Sequence, residues 1–158
     1  MLVLAAACGC RSGRPGRLHA RIVLQPHDTV EFTTDASVQH CSGGRGFTIE
    51  GVAEGNGVLL WLRASDSATA GEYPVLTRGD TIAPRGVAAA VRFLVQNTDR
   101  GATLDSGVVV VSASGGLLEA QVHGSGLDAS AGQRVVLEAS FRGVPLVVAD
   151  TVSCRVQP

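Results

Sequence analysis

The strongest constraint on how this chain can fold is a period of two. From Gln133 to Arg142, the residues Val135, Leu137, Ala139 and Phe141 fall on one side, while Arg134, Glu138, Ser140 and Arg142 fall on the other. Successive side chains of an extended strand point to opposite faces, so a segment of this kind buries one face and wets the other. The same alternation sets Leu118, Ala120 and Val122 against Glu119, Gln121 and His123. It sets Val87, Ala89, Val91, Phe93 and Val95 against Ala88, Ala90 and Arg92. Further candidate strands are 29–33, 46–53, 58–64, 72–76, 107–113 and 144–152, and residues 19–25 read either as an extra edge strand or as the end of a leading tether.

Turn chemistry separates these runs at Glu54-Gly55-Asn56-Gly57, Arg78-Gly79-Asp80, Ser114-Gly115-Gly116 and Arg142-Gly143. Glycine supplies the positive φ that tight hairpins need. With 20 glycines in 158 residues and no sustained helical period, long helices are not expected. The expected class is all-β, one antiparallel domain of about eight or nine short strands, a spacing shared by sandwiches and barrels. A β-sandwich is favoured, with a β-barrel as the alternative. A ligand-holding barrel is expected to turn more aromatic residues inward, and this chain has one Trp, one Tyr and four Phe.

The charge balance excludes some partners and chemistries. The formal net charge is -1, the sequence pI is about 6.4, and every basic residue other than histidine is arginine. A nucleic-acid partner, which calls for a basic patch and high pI, is not expected. The absence of lysine removes Schiff-base chemistry and the phosphate-loop lysine. The four cysteines divide into Cys8 and Cys10 near the start and Cys41 and Cys154 near the two ends of the foldable part. In an exported protein the second pair reads as a disulfide. A Cys41–Cys154 bridge closes a loop of about 110 residues and stabilises by about 4–5 kcal/mol in the chain-entropy account. A metal site built on His40, Cys41 and Cys154 lacks the two-to-four-residue ligand spacing of structural zinc. No metal or cofactor is expected.

The first ten residues form an apolar run that ends in small residues and a cysteine. Leu4-Ala5-Ala6-Ala7-Cys8 resembles the lipobox of bacterial lipoproteins, a resemblance confined to these few positions. It implies cleavage before Cys8, lipidation of Cys8, and anchoring of the protein to a membrane of the bacterial cell envelope. The implied organisation is a partial signal peptide at 1–7, a flexible tether at 8–17 rich in Gly, Ser and Arg, and one all-β domain at 18–158. No basic residue precedes the apolar core, so the signal is expected to begin upstream of Met1. The run is far shorter than the roughly 18 apolar residues of a membrane span. No acidic residue follows Cys8, which favours the outer membrane, with the domain in the periplasm or at the surface. Gly71-Glu72-Tyr73-Pro74-Val75, Asp105-Ser106-Gly107 opening a valine-rich strand, and Ala139-Ser140-Phe141-Arg142-Gly143 together resemble small β-rich bacterial lipoproteins of unassigned function. That resemblance implies no catalytic residue.

Several short strings have bland explanations. Asp105-Ser106-Gly107 matches the aspartic-protease triplet, but it occurs once, and that chemistry needs two carboxylates sharing a proton. Arg78-Gly79-Asp80 is ordinary loop-tip chemistry. His123-Gly124-Ser125-Gly126 lacks nucleophile-elbow spacing, and His19, His27, His40 and His123 are scattered. The chain is therefore expected to be a non-enzymatic envelope module that binds a protein or glycan partner or serves a structural role. Trp61 and Tyr73 are the candidate contacts, because interface energy concentrates on aromatic and Arg anchors. Trp61 lies on the face opposite Val58, Leu60 and Leu62, an outward position that a neighbouring loop or a second sheet is expected to cover. The alternative is a carrier of a small apolar ligand held within a barrel or between sheets.

Overall fold

The computed structural model describes residues 15–25, 28–41, 46–64, 70–146 and the backbone of 151–152. These residues are all-β, and no helix occurs among them. The strands are β1 (Gly16–Leu24), β2 (Asp28–Cys41), β3 (Phe47–Ala53), β4 (Asn56–Arg63) and β5 (Gly71–Pro74). There follow β6 (Gly86–Val95), β7 (Thr98–Ser114), β8 (Leu117–Asp128), β9 (Arg134–Pro145) and β10 (Thr151–Val152). Antiparallel pairing runs β1-β9-β8-β7-β6-β4-β3-β2, and β2 returns to β1. The result is a closed, up-and-down barrel of eight antiparallel strands. β5 pairs with the second half of β7, and β10 adds in parallel to the end of β2.

The barrel replaces the favoured sandwich, and the reason is β1. Arg17 through Leu24 pair with β9 on one side and with β2 on the other, for example Ala20 with Ala139 and with Phe32. A strand bonded on both edges joins what would otherwise be the two ends of the sheet, which only a closed barrel does. β1 begins at Gly16.

The aromatic count misled because, among the described residues, side chains fill the interior. Eight strands enclose a space that side chains can just fill. Here Leu18, Ile22, Ile49, Leu60, Leu62, Phe93, Leu118, Leu137 and Phe141 are all buried within it. Small residues fit where the wall curves inward. An added Cβ at Gly51 would lie 2.8 Å from Leu18 Cδ2, and one at Gly124 would lie 2.8 Å from Leu104 Cδ1. The outer face is polar, with Arg17, Arg21, Arg92, Glu119, Glu138 and Arg142 all exposed. That is the reverse of a membrane-spanning barrel, which carries an apolar band outside.

Two bulges keep the alternation in phase with the wall. In β7, Leu104 pairs with Gly126 and Ser106 with Ser125, leaving Asp105 as an extra residue. Inward positions therefore shift from Ala102 and Leu104 to Val109 and Val111. Gly107 follows with φ 126°, where a Cβ would meet His123 O at 2.3 Å. In β9 the second irregularity lies between Phe141 and Val144, and it includes Gly143 at φ 60°. Arg142-Gly143 is thus a bulge inside one strand and not the expected turn. The other expected turns at Glu54-Gly55 and Gly115-Gly116 hold, with both residues of each at positive φ, and Gln96-Asn97 adds a third of the same kind.

A filled interior has no room for an added ring. Ala89→Phe, at an inward position 1 % exposed, is expected to destabilise the domain by about 1–3 kcal/mol. Urea unfolding followed by far-UV circular dichroism measures this, and a neutral or stabilising result would reveal unfilled space at that level of the barrel.

Candidate functional site

Among the described residues the outer wall carries a concavity that contains an aromatic residue, and the alternation of β4 explains it. Val58, Leu60 and Leu62 point into the core, so Leu59 and Trp61 must point out. Trp61 pairs with Ala88 of β6, a small outward neighbour. The loop running from Leu76 to Thr81 folds over this spot. Trp61, Arg63, Leu76, Thr77, Arg78, Asp80, Ala88 and Thr103 line a groove of ≈ 490 Å³, within the usual range of small-molecule sites. Trp61 is half-buried, which matches the expectation that a loop covers it. Its buried indole Nε1 has no hydrogen-bond partner.

The loop is held by short-range chemistry. Arg63 donates Nη1 to Ala83 O at 3.0 Å and Nη2 to Asp80 O at 2.9 Å, and its guanidinium carbon lies 5.2 Å from the Trp61 ring centroid. Asp80 Oδ1 accepts from the backbone N–H of Ile82 at 2.8 Å and of Ala83 at 2.9 Å. The Ala83 and Ile82 amides hold the Asp80 carboxyl below its ordinary value; slight burial opposes them and Arg63 adds to them. In Arg78-Gly79-Asp80 the carboxylate is therefore committed to its own loop. Arg78, in contrast, is exposed, and no hydrogen bond or ion pair engages it among the described residues.

Tyr73 does not share the surface with Trp61. It lies on β5, is fully buried, and meets Phe47 edge-on with centroids 6.5 Å apart. Burial pushes its hydroxyl pKa up, and Arg85 partly offsets this from 4.4 Å above the ring. Arg85 also donates to Glu72 O and Ala70 O, each at 3.0 Å, on the edge of β5 that faces away from β7. Together with Pro74, which has no N–H, this blunts an otherwise open strand edge. Gly71 is required here: its φ is 127°, and a Cβ would sit 2.2 Å from Arg85 Nη2.

Two other polar clusters have structural roles. The β7 bulge sets Asp105 and Ser106 beside Ser125 and Arg134. Arg134 grips the Asp105 carboxylate at 3.1 and 3.2 Å, and the two serine hydroxyls lie 2.9 Å apart. The lone Asp105 carboxylate is thus ion-paired and outward-facing, not one of a proton-sharing pair. At the end of the barrel beneath Phe93, Asp128 turns inward and pairs with Arg100, itself 5.8 Å from the Phe93 ring. Ser130 N and Oγ, each at 2.7 Å, and Ala131 N also bond to Asp128 Oδ1. Burial raises the Asp128 pKa, but these bonds and Arg100 together outweigh it and hold the carboxyl below its ordinary value.

Of the remaining sequence candidates, Cys8 and Cys154 lie outside the described residues. Cys41 ends β2 and is buried. His19 and His123 are exposed on the barrel wall, and His40 is half-buried beside Cys41. Among the described residues no group of three or more His, Cys, Asp or Glu side chains could hold a metal ion. The pinning role of Arg63 and the buried Arg100–Asp128 pair escaped sequence reasoning. The only available signal was an acidic residue at an inward position of β8.

The fold and its groove define a class: a closed antiparallel barrel whose described residues form an apolar core, a charged exterior and an aromatic concavity under a pinned loop. Comparisons with protein-family models, curated proteins and solved structures find no match to this chain.

The Asp128 carboxyl titrates lower when folded than when unfolded. Its contribution is therefore fully present above the unfolded carboxyl range, near ~4, and is lost as pH falls through the lower folded value. Asp128→Asn is expected to flatten the acid limb of stability against pH. Arg100→Ala at neutral pH leaves an unpaired buried charge and should cost about 3–5 kcal/mol. Denaturant midpoints collected from pH 2 to 7 (~ range spanning these values) read both effects, and an acid limb unchanged in Asp128→Asn would remove Asp128 from this role.

Proposed function

We propose that this protein is a non-enzymatic bacterial envelope lipoprotein, anchored through Cys8, whose barrel is a binding module. It presents the outer groove at Trp61 to a protein or glycan partner of the envelope. The observation that carries the reading is the division of labour in the wall. The interior is filled by side chains, while the outer surface holds a preformed groove around Trp61, the chain's single tryptophan. Partner recognition of this kind favours aromatic and Arg residues on rigid supports, and Trp61 and Arg63 sit on a central strand of a closed sheet. The Leu4-Ala5-Ala6-Ala7-Cys8 string supports the tether. The outer membrane is the favoured location, with the domain in the periplasm or at the cell surface. The carrier reading loses ground because its cavity would have to displace core residues.

The proposal includes a Cys41–Cys154 disulfide. Parallel pairing of Thr151 with His40 and Val152 with Cys41 brings the chain alongside Cys41 two residues before Cys154. The bridge would hold this last strand against the end of β2.

The intact mass of the protein extracted, unreduced, from its own envelope tests the tether and the bridge together. The expected species begins at Cys8, carries a diacyl or triacyl group, and lacks the two thiol hydrogens of Cys41 and Cys154. An unmodified N-terminus would overturn the tether, and a co-purifying small molecule would move the reading to the carrier. For the binding surface, a photo-cross-linking residue at Thr81 is expected to capture a partner in the envelope while the same residue at Gln121, exposed on β8 outside the groove, is not. Equal capture at the two positions, or capture only at Gln121, removes the groove as the contact.

A further inference from the structure

The chemistry of the groove narrows what it accepts. Its floor is apolar, formed by Leu76, Ala88 and the Trp61 ring. Its charges divide unequally. Arg63 is occupied by Ala83 O, Asp80 O and, at 4.0 Å, the Asp80 carboxylate. Asp80 is in turn occupied by Arg63 and two backbone amides. Arg78 is the charge left over on the rim, exposed and without a partner among the described residues. Two arginines and one aspartate leave the groove with a positive excess, and its free donor is a guanidinium, whose planar fork suits a carboxylate.

We propose that the part of the partner that enters the groove is a carboxylate on a flat apolar body, the body against Trp61 and Ala88 and the anionic end at Arg78. The inference rests on the reading of the Trp61 groove as the binding surface, and it adds the charge and shape of what enters. The walls are already in place, since Arg63 and the Asp80 turn fix the loop before any ligand arrives. Little ordering cost is then left to offset the burial of the apolar body. The contribution of Arg78 is modest because it is exposed to solvent, so selectivity for the anion is a matter of several-fold and is weakened by salt.

The single tryptophan makes the test site-specific, because the folded protein gives one indole N–H cross-peak in a 15N-resolved spectrum. The probes are 2-naphthoate and its neutral isostere 2-naphthamide. Naphthoate is expected to shift the Trp61 indole peak saturably and to bind about fivefold more tightly than the amide at low salt. In Arg78→Gln the two should bind equally, with the amide's affinity unchanged. Arg78 lies on an exposed rim, so this variant is not expected to disturb the fold. Equal affinities for acid and amide in the unaltered protein, or a preference that survives in Arg78→Gln, would overturn the assignment of an anion and leave the groove as the binding surface. If neither probe moves the indole peak, the inference of an anionic, flat apolar group in the groove fails. Cross-linking from Thr81 judges the partner surface independently of that result.

Discussion

Closure through β1 is the interaction on which the rest of this structure depends. Eight residues, Arg17–Leu24, are paired along both edges. Without them β2 and β9 would each present a row of unpaired backbone groups, and the inner face of the sheet would open to water. Arg17 and Arg21 add ion pairs across the seam, to Asp35, Glu31 and Glu138. Pairs this exposed contribute roughly 0–1 kcal/mol each, so they do not set the register. Leu18, Ala20, Ile22 and Leu24 do, since a slip of one residue would carry all four to the solvent side.

Closure in turn dictates the bulges. A long strand wound around a narrow barrel must coil strongly, and an extra residue increases local twist at the cost of one ladder position. β7 absorbs this at Asp105 and β9 near Gly143. Each bulge reverses which parity faces inward, so apolar residues stay inside on both sides of it. The bulge in β7 has a second consequence. Beyond it β7 parts from β6, and β5 takes the vacated side, with Val75 N bonded to Gly107 O and Leu76 N to Val87 O. The chain that delivers β5 and returns to β6 is the chain that builds the groove.

These same features mark where the sequence was legible and where it was not. Strand type, the inward set on β6, β8 and β9, and three of the four expected turns follow from alternation and glycine placement alone. The barrel did not follow, because Gly16 to Leu24 alternates cleanly but carries Arg17, His19 and Arg21, the same polar composition as the tether expected before it. Nor did the continuity of β7 and β9. A bulge interrupts the period of two and reads, residue by residue, like the end of a strand. At the candidate site, the outward position of Trp61 could be read from its neighbours, whereas the burial of Tyr73 could not. Tyr73 sits on a four-residue strand, too short for alternation to establish a face, and its burial depends on Phe47 and Arg85, distant in sequence.

The absence of lysine acquires a structural meaning in this light. The excursion between β4 and β6 is secured by Arg63 and Arg85, each of which spans two backbone carbonyls with one planar fork while its face lies over an aromatic ring. An ammonium group can donate to two carbonyls, but it offers no flat face to stack and no fixed angle between its donors. Both arginines therefore position the segment rigidly against the barrel, and neither has much charge left to offer a partner. A solid core removes the interior as a binding space, and the blunted β5 edge removes strand addition there. Among the described residues, the groove at Trp61 is where an aromatic ring, a small residue and an unspent guanidinium meet, on chain that leaves the barrel between β4 and β6.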